Sequence, residues 1–422
     1  MSAVRIQPGP VRGRLEAPPS KSYTHRALVV GHLSGRRFRI TNPLDSDDTR
    51  ATARALSQLG TKVVRSRGVW RVVPGPFPLS IRGSIDCGES GTTLRFLTAV
   101  AARAATRVRF TGRPRLGERP MTGLLDALER LGAHVRVGSG GFPLEVEGPI
   151  HGGSVRLDAS TSSQFASSLL LTLPTLADDS RVELTGRIVS APYLDATLAV
   201  LAHHRVRVVR RGRTFLIPGR QKFLGAGFRV PGDASSAAYF WAAGALAGDG
   251  LQVHGIPPEW PQADRAILGV LRKYGARITT GGNWVAVAGG ARRPFTTDLT
   301  AAPDLYPLVG VLAALATGSS RLQGAPQVAL KESDRRAGTE RLARALGATT
   351  RRARGALVVR GTRSPLPIRL SHLRDHRLVM SAAVGALAAS GPSRIGEAEA
   401  TEKSFPGFWD ALRRVGVEVT EA

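Results

Sequence analysis

The sequence predicts an α/β protein in which one unit is repeated six times and helices are buried inside sheets, the inverse of a barrel. Three observations predict it. A helix-ending signal returns about every 70 residues, a series of polar helix starts keeps the same phase, and each unit contrasts a helix apolar all round with one apolar on a single side.

The endings come first. QLGTKVV, RLGAHVRV, HHRVRVV, KYGARI, ALGATT and RVGVEV mark Gly60, Gly132, Arg205, Gly275, Gly347 and Gly416, at successive spacings of 72, 73, 70, 72 and 69 residues. Glycine just past a helix supplies the left-handed conformation that stops it. Arg205 breaks the series, and another ending is expected there.

The starts come second. SKSYTHRALVVGHL, GESGTTLRFLTAV, TSSQFASSLLL, GDASSAAYFWAAGAL, PDLYPLVGVLAALA and DHRLVMSAAVGALAA place Ser22, Ser90, Ser162, Ser235, Asp304 and His376 at spacings of 68, 72, 73, 69 and 72. The helices that follow are Ala/Leu/Val-rich on every side and are predicted to be buried. The second helix of a unit, such as GLLDALERLG, is amphipathic and is predicted to face outward. Short strands such as FRITN and RVRFTG separate them. Six units divide into three plus three, with a boundary near residue 230, before the fourth start.

Composition bounds the function. At 422 residues the chain is long enough for two domains, and its 42% hydrophobic content can bury substantial cores. The lone cysteine, Cys87, permits neither an internal disulfide nor a multi-thiolate metal site, and it reads as a small packed residue rather than a nucleophile. No stretch reads as a signal peptide or a membrane span, so a cytoplasmic protein is expected. The net charge of +27 is dispersed rather than gathered in a tail, and aromatics are 5%, poor material for stacking bases. Neither nucleic acid nor a membrane is expected as a partner. Of 59 basic residues only six are lysines (Lys21, Lys62, Lys222, Lys273, Lys331 and Lys403). Lysine is a compact, titratable charge where arginine is not, so its placement invites a chemical reading.

Polar residues gather at the helix starts: Lys21, Ser22 and Arg26; Ser90 to Thr93 with Arg95; Ser162, Ser163 and Gln164; Asp304; Asp375, His376 and Arg377. The amphipathic helices add Arg119, Tyr193, Lys331, Glu332, Arg335 and Lys403. Helix N-termini carry unpaired N–H groups and a positive dipole end. Several aimed at one place beside Lys and Arg trap phosphates and carboxylates. The carboxylates Asp304 and Glu332 then read as structural partners or proton carriers. Simpler readings stay open. Ser, Thr and Asp at helix starts also serve as N-caps. The run DSDD at 45–48 reads as capping and charge balance, Glu332 can pair with Arg335 at three-residue spacing, and His376 can be a buried, satisfied histidine.

The segments PPSKSYTHRAL, DSDDT, GESGTTLRF, GRPRLGERPM, SSQFASSLLL, SAPYLDAT, GDASSAAYF, LKESDR, DHRLVM and EKSFPGFW, in this order across nearly the whole chain, resemble the 5-enolpyruvylshikimate-3-phosphate synthase family. The resemblance implies a two-domain inside-out α/β barrel of six βαβαββ repeats, three per domain, closing on its substrates. It implies a domain of residues 13–229, and a second of residues 1–12 with 230–422. It implies transfer of the enolpyruvyl group of phosphoenolpyruvate to the 5-hydroxyl of shikimate 3-phosphate, by a monomer without metal or organic cofactor. Carried over by position, Lys21, Ser22, Arg26, Ser162, Ser163, Gln164, Ser190, Tyr193, Asp304, Gln327 and Lys331 hold shikimate 3-phosphate. Lys21, Gly91, Arg119, Gln164, Arg335, His376, Arg377 and Lys403 hold phosphoenolpyruvate. Asp304, Lys331 and Glu332 carry the catalysis, with Glu332 beside the methylene carbon and Asp304 and Lys331 beside the attacking hydroxyl.

The chemistry suits those residue types. Phosphoenolpyruvate carries a carboxylate and a phosphate, and arginine binds both in bidentate fashion. The reaction needs an acid that later becomes a base, and a second base for the hydroxyl. Two positions depart from the commonest pattern: Glu89 stands where Asn is usual, and Gln327 where Asn or Arg is usual. A carboxylate at 89 beside an anionic substrate is unfavourable unless a cation pairs with it. The sister enzyme that acts on a nucleotide sugar has a loop cysteine absent from GRPRLGERPM, and an Asn where Ser22 follows Lys21. An RNA phosphate cyclase of related repeat architecture is disfavoured by the dispersed charge and scarce aromatics.

Overall fold

The computed structural model describes residues 2–75 and 83–422. The chain forms two compact units: Pro19–Pro231, and Gly232–Ala422 together with the residues up to Pro18.

The unit Pro19–Pro231 contains α1 (Lys21–Leu33), α2 (Asp47–Gln58), α3 (Gly91–Ala101), the single turn α4 (Pro114–Gly117), α5 (Thr122–Arg130), α6 (Ser163–Thr172) and α7 (Pro192–His203). Its second repeat shows the common plan. Ser84–Asp86 leads through α3 to the parallel strand Arg107–Thr111. After α5, the hairpin His134–Val137 and Leu144–Glu147 folds back, so that its second strand pairs antiparallel with Arg107–Thr111. A parallel pair needs a crossover helix, whereas the antiparallel pair closes with a short turn. Val108 and Phe110 are buried while Arg107 and Arg109 are exposed, the period-two pattern of a strand with one wet face. The third repeat follows the same order. The first borrows its outer strand: Gly227–Arg229 returns to lie parallel to Phe38–Thr41.

The other unit contains α8 (Ala234–Ala247), α9 (Ile267–Tyr274), α10 (Tyr306–Ala314), α11 (Arg335–Ala345), α12 (His376–Ala386) and α13 (Phe408–Arg414), with β1 (Ala3–Ile6) and β2 (Val11–Glu16) from the start of the chain. β2 lies parallel to Gly248–His254 and supplies the first strand of the fourth repeat. β1 inserts antiparallel between Ser393–Gly396 and Val419–Glu421 and completes the sixth. The expected division after residue 12 therefore falls inside β2. Residues 13–18 go with Gly232–Ala422, because the partner of β2 is there.

In each unit the first helices of the repeats pack on one another within the sheets. Every residue of α10 is buried, and so are Tyr23 through Leu33 of α1. Close approach depends on small residues. A Cβ on Gly310 of α10 would lie 2.1 Å from Thr339 Cγ2 of α11. The outer α5 buries only Leu124, Leu125, Ala127 and Leu128. Among the described residues no helix is long and apolar enough to cross a membrane.

Six second helices end alike. Gly60, Gly132, Gly275, Gly347 and Gly416 have φ of 82°, 109°, 101°, 90° and 97°, and the next residue donates its N–H back to a carbonyl five positions earlier. Arg205 was expected to end its helix differently. It instead adopts the same left-handed conformation, φ 56°, with Val206 N–H bonded to Leu201 O at 2.9 Å. The hydrogen-bond closure outweighs the steric cost of a Cβ in this region, about 1–2 kcal/mol.

Candidate active site

The expected residues fall into two groups, one in each unit, and most of each group is joined by hydrogen bonds and ion pairs. In Pro19–Pro231 the cluster is built on the heads of α1, α3, α6 and α7. Lys21 opens α1, and its Nζ lies 2.9 Å from Asp48 Oδ2 in the first turn of α2. The run 45–48 therefore does more than cap. Ser46 closes a capping box with Thr49, Asp45 takes Arg50 and Arg65, and Asp48 holds the lysine. Beneath Lys21 a buried chain joins three helices: Thr93 Oγ1 donates to Ser90 Oγ at 2.7 Å, Thr52 and Thr93 hydroxyls are 2.7 Å apart, and Thr52 is 2.7 Å from His25 Nδ1. Burial pushes the His25 pKa down to about 3, so this ring is neutral.

Arg26 is 2% exposed. It donates to Thr197 Oγ1 at 3.0 Å, Ser22 O at 2.9 Å and Tyr193 O at 2.9 Å, tying α1 to the head of α7. Ser162 caps α6 by accepting from Gln164 N–H, the N-cap role open to a serine at a helix start; Ser163 follows, buried. The Gln164 amide accepts from Arg95 Nη1 at 2.7 Å and donates to Thr92 Oγ1 at 2.9 Å. Ser190 has a left-handed φ of 56° and its carbonyl accepts from Tyr193 N–H, which sets the entry to α7. Gly91 opens α3 because Arg119 lies over it: a Cβ there would be 2.8 Å from Arg119 Nη1. Glu89 is exposed one residue before the Ser90 cap. Cys87 is fully buried and its thiol pKa is raised by burial, which fits a packed residue.

The second cluster centres on Arg335, the first residue of α11, 1% exposed. Its guanidinium reaches three carboxylates: Asp304 Oδ1 at 2.7 Å, Glu332 Oε2 at 2.7 Å and Asp375 Oδ2 at 2.8 Å. Burial disfavours its charge, but Asp375, Glu332 and Asp304 outweigh that and raise its pKa. Asp304 sits in the turn Pro303–Leu305 ahead of α10. It also accepts from Arg377 Nη2 at 3.0 Å and lies 3.6 Å from Lys331 Nζ. Burial alone would raise its pKa, yet Arg377, Lys331 and Arg335 hold the carboxyl well below the usual range. Asp375 caps α12 by accepting from Arg377 N–H at 2.8 Å. His376, the first residue of α12, is 1% exposed with Nδ1 3.8 Å from Asp375 Oδ1.

Four placements differ from the sequence prediction, and the first is Arg119, which lies in the connection between α4 and α5 and not on an amphipathic helix. Lys331 and Glu332 were assigned to an amphipathic helix but lie in the loop before α11, whose cap is Asp334. The Glu332–Arg335 pair thus joins a loop to a helix head, and does not run along one helix face. Lys403 ends the turn Ala398–Lys403, which packs against α12, rather than standing on α13. Gln327, in the turn Pro326–Leu330, is 6% exposed and its amide atoms have no hydrogen-bond partner.

The sequence points to Asp48 only for capping and charge balance, and to neither Asp264 nor Tyr239. Asp264 lies 3.8 Å from Arg377 Nη1, and the Tyr239 hydroxyl also meets Arg377. Only the DSDDT motif could have flagged Asp48. Among the described residues no group of three or more His, Cys, Asp or Glu is placed to hold a metal ion. Together the clusters offer fixed cations, helix heads for anions, an ionised buried aspartate and a partly exposed glutamate. Those are the parts needed to bind phosphate and carboxylate groups and to move protons at carbon and oxygen.

A family profile for EPSP synthase (3-phosphoshikimate 1-carboxyvinyltransferase) matches residues 6–412. The 3-phosphoshikimate 1-carboxyvinyltransferase of Thermococcus kodakarensis is 41% identical over 408 residues, covering 96% of this chain and 98% of that protein. The protein of the same name from Methanocorpusculum labreanum is 36% identical over 413 residues, covering 97% and 98%. The solved structure of EPSP synthase from Acinetobacter baumannii covers 100% of both chains with a TM-score of 0.82 at 23% identity, a likeness of fold.

Proposed function

The chain belongs to the EPSP synthase (3-phosphoshikimate 1-carboxyvinyltransferase) family, and from that premise we propose how its residues transfer the carboxyvinyl group of phosphoenolpyruvate to the 5-hydroxyl of shikimate 3-phosphate, releasing phosphate. Lys21, Ser22, Ser162, Ser163, Ser190 and Tyr193 bind shikimate 3-phosphate, with Arg26 and Gln164 fixing the helix heads that carry them and Gln327 adding an amide. Arg119, Arg335, Arg377, Lys403 and Lys21 bind phosphoenolpyruvate, with Gly91 leaving room for Arg119 and His376 backing Arg377.

The single observation that supports this reading most strongly is the grouping of Asp304, Lys331, Glu332, Arg335 and Arg377 at the heads of α10, α11 and α12. When the carboxylate of phosphoenolpyruvate draws Arg335 away from Glu332, Glu332 takes up a proton and gives it to the methylene carbon. The 5-oxygen bonds to the neighbouring carbon while its proton passes to Asp304, assisted by Lys331. A tetrahedral intermediate results. Glu332, now a carboxylate, takes back a methyl proton as the C–O bond to phosphate breaks, and the proton held by Asp304 leaves on the phosphate. Asp304 is a weak base while three cations surround it. Its basicity rises when the carboxylate of phosphoenolpyruvate competes for Arg335 and Arg377. We further propose a monomeric, cytoplasmic enzyme of small anionic substrates, with neither nucleic acid nor membrane as partner.

The test mixes purified protein, shikimate 3-phosphate and phosphoenolpyruvate and follows phosphate. Release that requires both substrates is expected. No release, or equal release with a nucleotide-sugar acceptor, overturns the function.

A further inference from the structure

Asp264 lies in the turn Ala263–Ala266 that leads into α9 and is 1% exposed. The turn is pinned to the head of α8 by the neighbouring amide. Gln262 accepts from Ala234 N–H at 2.8 Å and donates to Gly232 O at 2.8 Å. Ser235, in the first turn of α8, donates its hydroxyl to Asp264 Oδ2. The same carboxylate lies 3.8 Å from Arg377 Nη1, while Arg377 Nη2 bonds Asp304 Oδ2 at 3.0 Å. Arg377 is thus stretched between two carboxylates on different elements, and its backbone is fixed by the Asp375 cap.

The two carboxylates are not equivalent. Asp304 is shared among Arg335, Lys331 and Arg377. Asp264 meets Arg377 as its one ion-pair partner among the described residues, and its Oδ1 is buried without a hydrogen bond. A carboxylate half satisfied in a buried place costs stability, and such a group is more often kept for a task than for the fold.

We infer that Asp264 is a positioning residue: through Arg377, and steadied by Ser235, it sets where the carboxylate of phosphoenolpyruvate is held. This rests on the function proposed above. The groups around Asp264 are Ser235 and Asp233 at the head of α8, Arg377 on α12 and Asp304 ahead of α10. Tyr239 and Arg335 face Arg377, and Arg265 on the same turn points to Ile256 and Pro257 carbonyls. Burial raises the Asp264 pKa to about 6, aided by Asp304 and Asp233 and opposed by Arg377 and Ser235. The anion anchors Arg377 above about pH 6, and protonation releases one end of it below.

Steady-state kinetics of wild type, Asp264→Asn and Ser235→Ala between pH 5 and 8 test this. In wild type the KM for phosphoenolpyruvate rises as pH falls through about 6. Asp264→Asn raises that KM roughly tenfold at pH 7.5, the low end of what losing an outer orienting partner costs at metal sites. It leaves kcat and the KM for shikimate 3-phosphate near wild type, and it removes the part of the acid limb that exceeds the ionisation of the substrate's own phosphate at about pH 6. Ser235→Ala keeps the limb but moves it to higher pH, because a hydrogen bond favouring the anion is gone. A merely structural Asp264 would lower melting temperature and kcat without moving the limb. A wild type that turns over, with variants matching its KM and acid limb, overturns the inference alone. A wild type that releases no phosphate overturns the function and the inference together.

Discussion

Lys21 Nζ stands 2.9 Å from Asp48 Oδ2, with the two side chains 17% and 6% exposed. Removing one partner of such a pair leaves a charge with little water around it, which costs about 3 kcal/mol. Lys21→Ala is therefore expected to lower stability and abolish shikimate 3-phosphate binding. Lys21→Ala with Asp48→Asn regains most of the stability and none of the binding. Denaturant melts and calorimetric titration separate the two effects. Binding restored in the double variant would make Lys21 a structural residue only.

Gly91→Ala places a methyl group 2.8 Å from Arg119 Nη1, so the guanidinium must move. A displacement near 1 Å costs up to about 100-fold where positioning matters. The KM for phosphoenolpyruvate should rise at least several-fold while shikimate 3-phosphate binding holds. Kinetics with each substrate varied in turn check it.

Asp304 gives a prediction in pH. Its folded pKa lies well below 3.8, so its contribution is fully present above the unfolded value and is lost as pH falls through the folded one. Asp304→Asn should be less stable than wild type at pH 6–7, with the gap narrowing below about pH 4. Turnover at pH 7 should fall roughly 100- to 10,000-fold. Melting curves across pH and phosphate-release rates test both halves.

Arg205 is the left-handed arginine among five left-handed glycines in the six helix endings. Arg205→Gly relieves the Cβ clash but frees the unfolded chain, for a net gain of about 0.5–1 kcal/mol. Gly275→Ala, at φ 101°, should lose about 1 kcal/mol or more. Equilibrium unfolding in denaturant measures each.

These residues also show what a sequence displays and what it hides. The endings were legible because left-handed backbone leaves glycine as a local trace, and Arg205 was misread because its geometry is imposed by the repeat around it. The buried helices were legible because α8 and α10 lack a polar side. The borrowed strand Gly227–Arg229 was hidden, since its partner lies almost 190 residues away. The heads of α1, α3, α6 and α12 advertised Lys21, Gly91, Gln164 and Arg377. Asp48 showed only as a capping residue and Asp264 not at all, because their partners come from other helices, and pairing across the fold leaves no spacing to count.

The placement of β1 carries a consequence for how the molecule comes together. Val4 pairs with Glu421, so this sheet joins segments about 400 residues apart, while the sheets of Pro19–Pro231 draw on one continuous stretch. Closing a loop of that size costs about 5 kcal/mol in chain entropy. The amide of Ala422 already bonds the carbonyl of Ala3 at 3.0 Å. Fusing the two ends through a short linker and opening the chain at an exposed turn would convert the pairing with the widest sequence separation among the described strands into a hairpin. Such a circular permutant should assemble faster than the natural connectivity and keep every contact described above except those at the new opening.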